Sequence, residues 1–138
     1  MADVHDKKTR SFNMSRIRSK DTKPEILVRK CLFRYGFRYK LHDRTLPGKP
    51  DMVFPRYKTV VFIHGCFWHG HKGCQYFVIP KTRRKWWIEK IKRNQQLDAE
   101  HNRELKNMGW NIITVFECRL KPKKRDSTLD QLAARLTK

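Results

Sequence analysis

Apolar residues recur at helical spacing in three parts of the chain, which predicts three helices. In the first part, Asp21 or Thr22 can cap the N-terminus, Pro24 lies in the first turn, and Gly36 stops the helix. The side chains predicted to face the core from this helix are Ile26, Leu27, Cys31, Leu32 and Tyr35.

The second helix is predicted over residues 82–108, where Gly109 closes it, and the third over residues 127–136. The long second helix should pack through one apolar side. Its predicted packing residues are Trp86, Trp87, Ile91, Leu97, Leu105 and Met108.

Four shorter segments have the patterns of β-strands. Residues 37–41 alternate apolar and basic side chains, and residues 52–54 form a short apolar run that Pro55 ends. Residues 59–63 and 110–116 are β-branched and apolar on both faces, so both are predicted to be central strands. The resulting order αβββαβα predicts an α/β fold in which helices cover a mixed central sheet.

The length and charge of the chain narrow its class. With 138 residues it should form one domain, residues 21–138, preceded by a basic N-terminal arm over residues 1–20. Its 33 Lys and Arg outnumber 13 Asp and Glu, for a formal net charge of +20. Such an excess attracts polyphosphates, which favours a nucleic-acid partner. Ribosomal and chromatin proteins share this balance, so charge alone does not indicate catalysis.

No apolar run approaches the roughly 18 residues that a transmembrane helix needs. The N-terminal residues MADVHDKKTRSF also lack the apolar segment of a secretory signal. We therefore expect a cytoplasmic protein, associated with the bacterial nucleoid through its DNA partner. In that compartment its four cysteines should stay reduced.

Three of the cysteines suggest a metal site. Cys66, His71 and Cys74 lie in one loop, and Cys118 follows a strand that could bring it alongside. Three thiolates and one imidazole make a closed tetrahedral zinc site of structural type. Two alternatives remain open at this stage: the cysteines could simply be buried, or His64 or His69 could replace His71. Cys31 lies on the apolar side of the first helix and is predicted to be a core residue.

Asp51 is the acid best placed for chemistry, since it opens a strand next to the one that ends near His64. A carboxylate there, with a carbonyl, waters and a phosphate, could hold Mg²⁺ for phosphodiester hydrolysis. If His71 binds zinc, His64 and His69 remain available to move protons. The histidines that lie among charged residues, and are expected to be solvated, are His5, His42 and His101.

Several motifs together resemble a known family. The runs LPGKPD, VVFIHGCFWHGH and WWIEKIKRN, with TKPE before them and VFEC after them, are similar to the very short patch repair (Vsr) endonucleases, which nick DNA at T:G mismatches. The resemblance implies a restriction-endonuclease-like fold related to the PD-(D/E)xK nucleases, a structural zinc and a catalytic Mg²⁺. Where those nucleases carry acid-x-lysine, this chain has Phe62-Ile63-His64, which implies a histidine-assisted mechanism.

The resemblance also implies individual roles. Asp51 would bind Mg²⁺ together with the main-chain carbonyl of Ile63. His69 would act as general base or proton shuttle, His64 would contact the scissile phosphate, and Glu25 would assist from the first helix. The zinc ligands would be Cys66, His71, Cys74 and Cys118.

For the aromatic residues, the pattern and the resemblance differ. Pattern alone assigns Phe and Trp to the core. The resemblance implies instead that Phe67, Trp68 and Trp87 wedge into the base stack beside the mismatch, where unstacking is cheapest. Met14 would enter the opposite groove from the N-terminal arm, and Lys90 would contact base edges.

The sequence therefore predicts a monomeric, Mg²⁺-dependent endonuclease that nicks one strand 5′ to the thymine of a T:G mispair. Its partners would be mismatched duplex DNA and, by resemblance, a cytosine methyltransferase and mismatch-repair proteins. The alternative is a noncatalytic zinc-containing DNA-binding module, which would leave Asp51, His64 and His69 without a task. A zinc deaminase is excluded because the chain lacks its His-x-Glu and Pro-Cys-x-x-Cys motifs.

Overall fold

A computed structural model describes residues 22–137 of the chain. The predicted arm over residues 1–20, with Met14, lies outside them. The described elements follow the predicted order αβββαβα, with short 3-10 turns after the second and fourth strands. In chain order they are α1 (Lys23–Arg34), β1 (Lys40–Leu41), β2 (Met52–Phe54), β3 (Thr59–His64), α2 (Arg84–Asn107), β4 (Asn111–Phe116) and α3 (Arg125–Leu136).

The four strands form one mixed sheet in the order β1-β2-β3-β4. The first two neighbouring pairs are antiparallel, whereas β3 and β4 run parallel over six residue pairs, from Thr59 opposite Asn111 to His64 opposite Phe116. The predicted mixed sheet is confirmed, and so is the central position of β3. The prediction that β4 is central was wrong, because β4 pairs only with β3 among the described strands.

Helices cover both faces of the sheet. On one face, α1 and α3 contribute Val28, Leu32, Leu129, Leu132 and Leu136 to a core with Met52, Phe54, Val61, Ile113 and Val115. On the other face, Leu105 of α2 packs on Val53, Val60 and Phe62. Successive strand residues point to opposite faces, so the unbroken apolar runs of β2 and β3 supply both cores at once.

The first helix begins as predicted, and the predicted residues Leu27, Cys31 and Leu32 pack on the core, but the side that it buries is rotated relative to the prediction. Thr22 caps it, its hydroxyl accepting a hydrogen bond from the Glu25 N–H at 3.5 Å, and Gly36, with φ +95°, follows its last turn. The buried positions are Glu25, Val28 and Leu32, whereas Ile26 and Tyr35 are exposed. The helix is therefore rotated so that an acidic side chain points inward, which no apolar pattern could indicate.

The second helix buries fewer residues than its pattern predicted. Only Ile91 and Leu105 are buried, and Trp86, Leu97 and Met108 are between 43% and 49% exposed. A 24-residue helix spans about 36 Å, but a six-residue strand only about 20 Å. The sheet is too short to cover the whole helix, so much of the apolar stripe lies beyond it.

Two smaller differences concern element bounds. The strand predicted over residues 37–41 pairs only at Lys40–Leu41, although Phe37 and Tyr39 still pack against the core. The last helix begins at Arg125, slightly earlier than predicted. Within residues 22–137, no helix combines the length and apolar character needed to span a bilayer.

The position of α2 can be tested with a matched pair of leucines on that helix. Leu105→Ala should lower the free energy of unfolding by about 2–5 kcal/mol, because it leaves a cavity beneath the helix. Leu97→Ala should cost less than about 1 kcal/mol, since that side chain is 43% exposed. Urea denaturation of both variants checks the comparison, and equal losses would show that Leu97 is a core residue after all.

Candidate active site and metal cluster

The parallel pairing of β3 with β4 brings two distant segments together at one end of the sheet. His64 lies opposite Phe116, so Cys66 and Cys118 follow the paired strands by the same two residues. The Cys118 N–H donates a hydrogen bond to the Cys66 sulfur at 3.4 Å. The strand register thus brings Cys118 close in space to Cys66, although the two residues are far apart in sequence.

Four side chains gather here as the Cys/His cluster: Cys66, His71, Cys74 and Cys118. One ligand atom from each lies within 4.8 Å of the others, and His71 Nδ1 is 3.4 Å from the Cys118 sulfur. The His71 ring stacks on Phe116, with centroids 3.9 Å apart and planes within 4°, which fixes its direction. His71 is thus the imidazole of this cluster, and His64 and His69 lie in a different group.

The chemistry of the cluster suits a cation. Burial raises the pKa of the Cys66 thiol to about 12, and the side chains of Cys118 and Cys74 add to the rise. That thiol stays protonated at neutral pH unless a positive charge stabilises the thiolate. Three sulfurs and one imidazole nitrogen, all within 4.8 Å of one another, match the donor set of a tetrahedral structural metal site.

Asp51 lies at the start of β2, directly beside β3. Its Oδ2 accepts a 2.6 Å hydrogen bond from the N–H of Ile63. Burial raises the pKa of Asp51 to about 7, the Ile63 hydrogen bond opposes this rise, and the nearby Glu25 carboxyl adds to it. A buried carboxyl group that is costly to ionise is a natural ligand for a divalent cation.

His42 lies between Asp51 and Glu25, contrary to the prediction that it is solvated. Its Nε2 is 3.5 Å from Glu25 Oε2 and its Nδ1 is 4.0 Å from Asp51 Oδ1, and its side chain is only 19% exposed. Ligand atoms of the three residues lie within 4.8 Å of one another. The Glu25 side chain points inward from α1 and therefore lies beside Asp51, and the His42 imidazole contacts both carboxyl groups. Sequence reasoning missed this position of His42.

A second group combines His64, at the end of β3, with His69 and Asp98. The two imidazole rings stack with centroids 3.7 Å apart and planes within 3°. His69 Nδ1 lies 2.6 Å from Asp98 Oδ2 on α2. A carboxylate only accepts hydrogen bonds, so His69 Nδ1 carries the hydrogen and Nε2 keeps a free lone pair. Burial, and after it the neighbouring His69, lower the pKa of His64 to about 4 against a smaller opposing effect of Asp98, so His64 is neutral near pH 7.

This second group is arranged for proton transfer rather than for holding a metal. A ring nitrogen binds a metal along the plane of its own ring. Two parallel rings 3.7 Å apart cannot both direct their lone pairs at one ion about 2 Å away. The hydrogen bond between His69 and Asp98 resembles the base and orienting acid of many hydrolases.

Asp98 was not predicted, although the sequence held a signal for it. On α2 it follows Trp87 by eleven residues and Ile91 by seven, so all three lie on one side of the helix. The same side holds the loop after β3: Asn94 donates a hydrogen bond to the Trp68 carbonyl at 2.9 Å. Only the contact between helix and loop distinguishes Asp98 from the other acids of the helix.

One cavity of about 420 Å³ connects the two groups. His101, expected to be solvated, also lines it and packs closely on the turn at Gly48. The residues proposed for chemistry that line the cavity, with Asp98 and His42, are Asp51, Ile63, His64 and His69.

Beside this cavity lie the three rings that the resemblance singled out. Phe67 is 5.3 Å from both Trp68 and Trp87, and Trp68 is 5.7 Å from Trp87, measured between ring centroids. We call Phe67, Trp68 and Trp87 the aromatic cluster. Trp86 packs edge-on against Trp87 but is itself exposed, so its assignment as a core residue was wrong. Lys90 is exposed on α2, three residues beyond Trp87.

Comparison with known proteins identifies the family. Residues 2–75 match the family described as DNA mismatch endonuclease Vsr. A type II nicking enzyme of Neisseria meningitidis, V.NmeAIP, is 51% identical over 123 residues, which cover 89% of this chain and 87% of the relative. The DNA mismatch endonuclease Vsr of Escherichia coli is 42% identical over 91% of this chain and 80% of its own length.

A third relative extends the match to almost every residue. The type II nicking enzyme V.XorIIP of Xanthomonas oryzae is 42% identical over 136 residues, covering 99% of this chain and 95% of the relative. The matching region includes both metal-ligand groups and the aromatic cluster. By these similarities the chain belongs to the Vsr family of DNA mismatch endonucleases.

Proposed function

We propose that this protein nicks one strand of duplex DNA on the 5′ side of the thymine in a T:G mispair. Such mispairs arise when 5-methylcytosine deaminates, so the nick would start very short patch repair. The observation that carries the proposal is one cavity lined both by Asp51, a largely buried carboxyl group, and by His69, which Asp98 orients. In the aromatic cluster, Trp68 directly precedes His69 in the chain, and its ring is exposed. Relatives named as a mismatch endonuclease and as nicking enzymes support the same activity.

The oxygen donors around Asp51 suit a Mg²⁺ ion. Asp51 and the main-chain carbonyl of Ile63 would hold it, with Glu25 close enough to assist. When bound, the ion would polarise a phosphoryl oxygen and make a bound water more acidic. Without a cation, burial keeps the Asp51 carboxyl partly protonated at neutral pH.

The protein's own residues move the proton. His69 accepts a proton from the attacking water at Nε2, because Asp98 holds its other nitrogen at 2.6 Å and stabilises the imidazolium that forms. His64 stays neutral, and its stacking on His69 places it where it can donate a hydrogen bond to the scissile phosphate. In this scheme Asp51, His64, His69 and Glu25 are the catalytic residues, and Asp98 positions the base.

The aromatic cluster gives the reaction its selectivity. Phe67, Trp68 and Trp87 would insert between bases at the mispair, since unstacking costs a few kcal/mol per step and is cheaper at a mispair than in paired DNA. Lys90, one turn along α2 from the cluster, would reach base edges. Met14 would contact the other groove from the N-terminal arm.

The Cys/His cluster would hold a structural zinc ion through Cys66, His71, Cys74 and Cys118. The loop from Gly65 to Cys74 carries His69 and two of the aromatic rings, yet among its residues only Cys66 and Gly70 are buried. Zinc would anchor this loop to the end of β4. The mixed sheet with helices on both faces is compatible with a restriction-endonuclease-like fold.

We place this enzyme, as a monomer, with the bacterial nucleoid in the cytoplasm. Its net charge of +20 would hold it on DNA between encounters with mispairs. A cytosine methyltransferase, which generates the methylated sites, and downstream mismatch-repair proteins are the proposed protein partners.

The decisive experiment is a nicking assay on end-labelled duplexes containing T:G or T:A, with and without Mg²⁺. The wild-type protein should cut the thymine strand of the T:G duplex only. Asp51→Asn and His69→Ala should each lower the single-turnover rate by at least about 100-fold while affinity changes less than about tenfold. Asp130→Asn, an exposed acid on α3, is the matched control and should retain the full rate.

Two outcomes of that assay would contradict the proposal. Equal cutting of T:A and T:G duplexes would indicate a general nuclease. Tight binding to the mispair without cutting would favour the noncatalytic DNA-binding module.

Removal of one cysteine tests the zinc site. Purified Cys118→Ser should contain far less than one zinc per chain by elemental analysis, and its melting temperature should fall by roughly 10 °C as several kcal/mol of metal binding are lost. Cys31→Ser is the control. Cys31 lies outside the Cys/His cluster, so this variant protein should keep its zinc. Full zinc content in Cys118→Ser would exclude Cys118 as a ligand.

The raised pKa of Asp51 predicts how stability varies with pH. Between about pH 4 and pH 7 the folded state holds a proton on Asp51 that the unfolded state has released, so this contribution to stability is lost as pH rises through 7. Asp51→Asn has no carboxyl group to ionise at this position, so it should not lose this contribution to stability as the pH rises. Without added Mg²⁺, the variant should gain stability over wild type from pH 5 to pH 8, on the order of 1–4 kcal/mol.

Urea denaturation at four pH values measures the difference, and added Mg²⁺ should reduce it by stabilising the wild-type carboxylate. A difference that does not vary with pH would show that Asp51 is not held protonated in the fold.

A further inference from the structure

A second concave surface lies on the other side of the Cys/His cluster from the catalytic cavity. It is a groove of about 780 Å³, formed by residues 71–76 and residues 118–124. Five of its twelve lining residues are Lys or Arg, and none is Asp or Glu. We call it the basic groove, and its cationic residues are Lys72, Arg119, Lys121, Lys123 and Lys124.

The groove is a built feature rather than a chance meeting of surface lysines. Its two walls come from segments far apart in sequence, and Cys74 and Cys118 of the Cys/His cluster join them at the base. The Lys121 ammonium lies 5.0 Å above the Tyr76 ring, which connects the walls a second time. Hydrogen bonds from the Lys124 and Arg125 N–H groups to the Lys121 carbonyl, both 2.9 Å, form the turn that presents the lysines.

The start of α3 adds to the positive potential. Lys124 occupies its N-cap position without a side-chain hydrogen bond to the helix, and the positive end of the helix dipole lies at this turn. Asp126, in the first turn of α3, offsets part of that potential. The five cations of the groove still outweigh this one acid, so an anion is the ligand that the surface favours.

The groove adjoins the aromatic cluster. The Phe77 N–H donates to the Cys74 carbonyl at 3.0 Å, and the Phe77 ring lies 6.4 Å from Phe67. Tyr76, which lines the groove, directly precedes Phe77, and neighbouring Cα atoms are about 3.8 Å apart. With the 6.4 Å between the Phe77 and Phe67 rings, the groove begins about 10 Å from the aromatic cluster. One DNA strand carries a phosphate about every 3.4 Å along the helix axis, so this distance corresponds to roughly three phosphates.

We propose that the basic groove binds the sugar-phosphate backbone of the duplex arm next to the mispair, and so sets which way the enzyme lies along the DNA. This inference rests on the proposed function, since it assumes that the aromatic cluster engages the mispair. The five cations of the groove are all exposed, and exposed cations suit phosphates, which position a protein without reading sequence. Because the groove adjoins the aromatic cluster, the DNA backbone is a better match for it than an acidic protein.

The test variant is Lys121→Gln/Lys123→Gln/Lys124→Gln, all at exposed positions. The control triple, Arg56→Gln/Lys58→Gln/Lys106→Gln, removes the same charge near the other end of β3, a strand length of about 20 Å away. Both variants should keep the wild-type melting temperature and zinc content. Binding to T:G duplexes is measured by fluorescence anisotropy between 50 and 300 mM KCl.

If the groove binds phosphates, the slope of log K against log salt should become shallower by about 3 in the groove variant, or about 1 per lost contact. In the control variant, the slope should change by less than about 1. In two further duplexes, neutral methylphosphonates replace the phosphates of one arm or of the other arm. Only one of these two replacements, on the side that the groove contacts, should weaken binding of the wild-type protein. That loss should disappear in the groove variant.

An unchanged salt slope in the groove variant would overturn the proposal, and so would an equal change in both variants. Either result would favour an acidic protein as the partner of the groove. Nicking by the wild-type protein is measured on the same duplexes. Absence of nicking would refute the proposed function, whereas nicking with an unchanged salt slope would refute only the role of the groove.

Discussion

The parallel pairing of β3 with β4 is the constraint on which the site depends. Six residue pairs set the register, and that register brings Cys118 alongside Cys66 and places Phe116 beneath His71. A shift of two residues would keep the apolar faces of both strands buried but would separate the sulfurs. The backbone hydrogen bonds between β3 and β4 therefore set the geometry of the Cys/His cluster, which burial of the apolar faces alone would not determine.

The site would be costly to fold without a bound cation. Cys66 and Asp51 are both buried far enough that their ionised forms are disfavoured, and Glu25 adds a second buried acid next to Asp51. Each group would be easier to bury if it were apolar. A bound cation would offset that cost, and the folded protein, rather than the unfolded chain, would then be the form with high metal affinity.

Much of this molecule could be predicted from its sequence, and the remainder was missed for identifiable reasons. The order of elements, the cap at Thr22 and the central β3 follow from local periodicity and turn chemistry. The exposure of Leu97 does not, because it depends on how far the sheet extends beneath α2. His42 and Asp98 were overlooked because each lies among charged residues, and only the tertiary contact with Asp51 or His69 distinguishes it from a solvated side chain. Motif resemblance suggested roles for His69 and Trp87, whose local patterns are those of ordinary loop and core residues.

The face-to-face histidines at the end of β3 have a further consequence. Two imidazolium charges 3.7 Å apart would repel by about 4 kcal/mol at an effective dielectric constant near 20. The stack therefore tolerates one positive charge and not two. Since His64 belongs to the rigid strand and His69 to the loop, acidification beyond the first protonation would push the loop outward. The same contact that holds the base in place also makes the loop sensitive to acid.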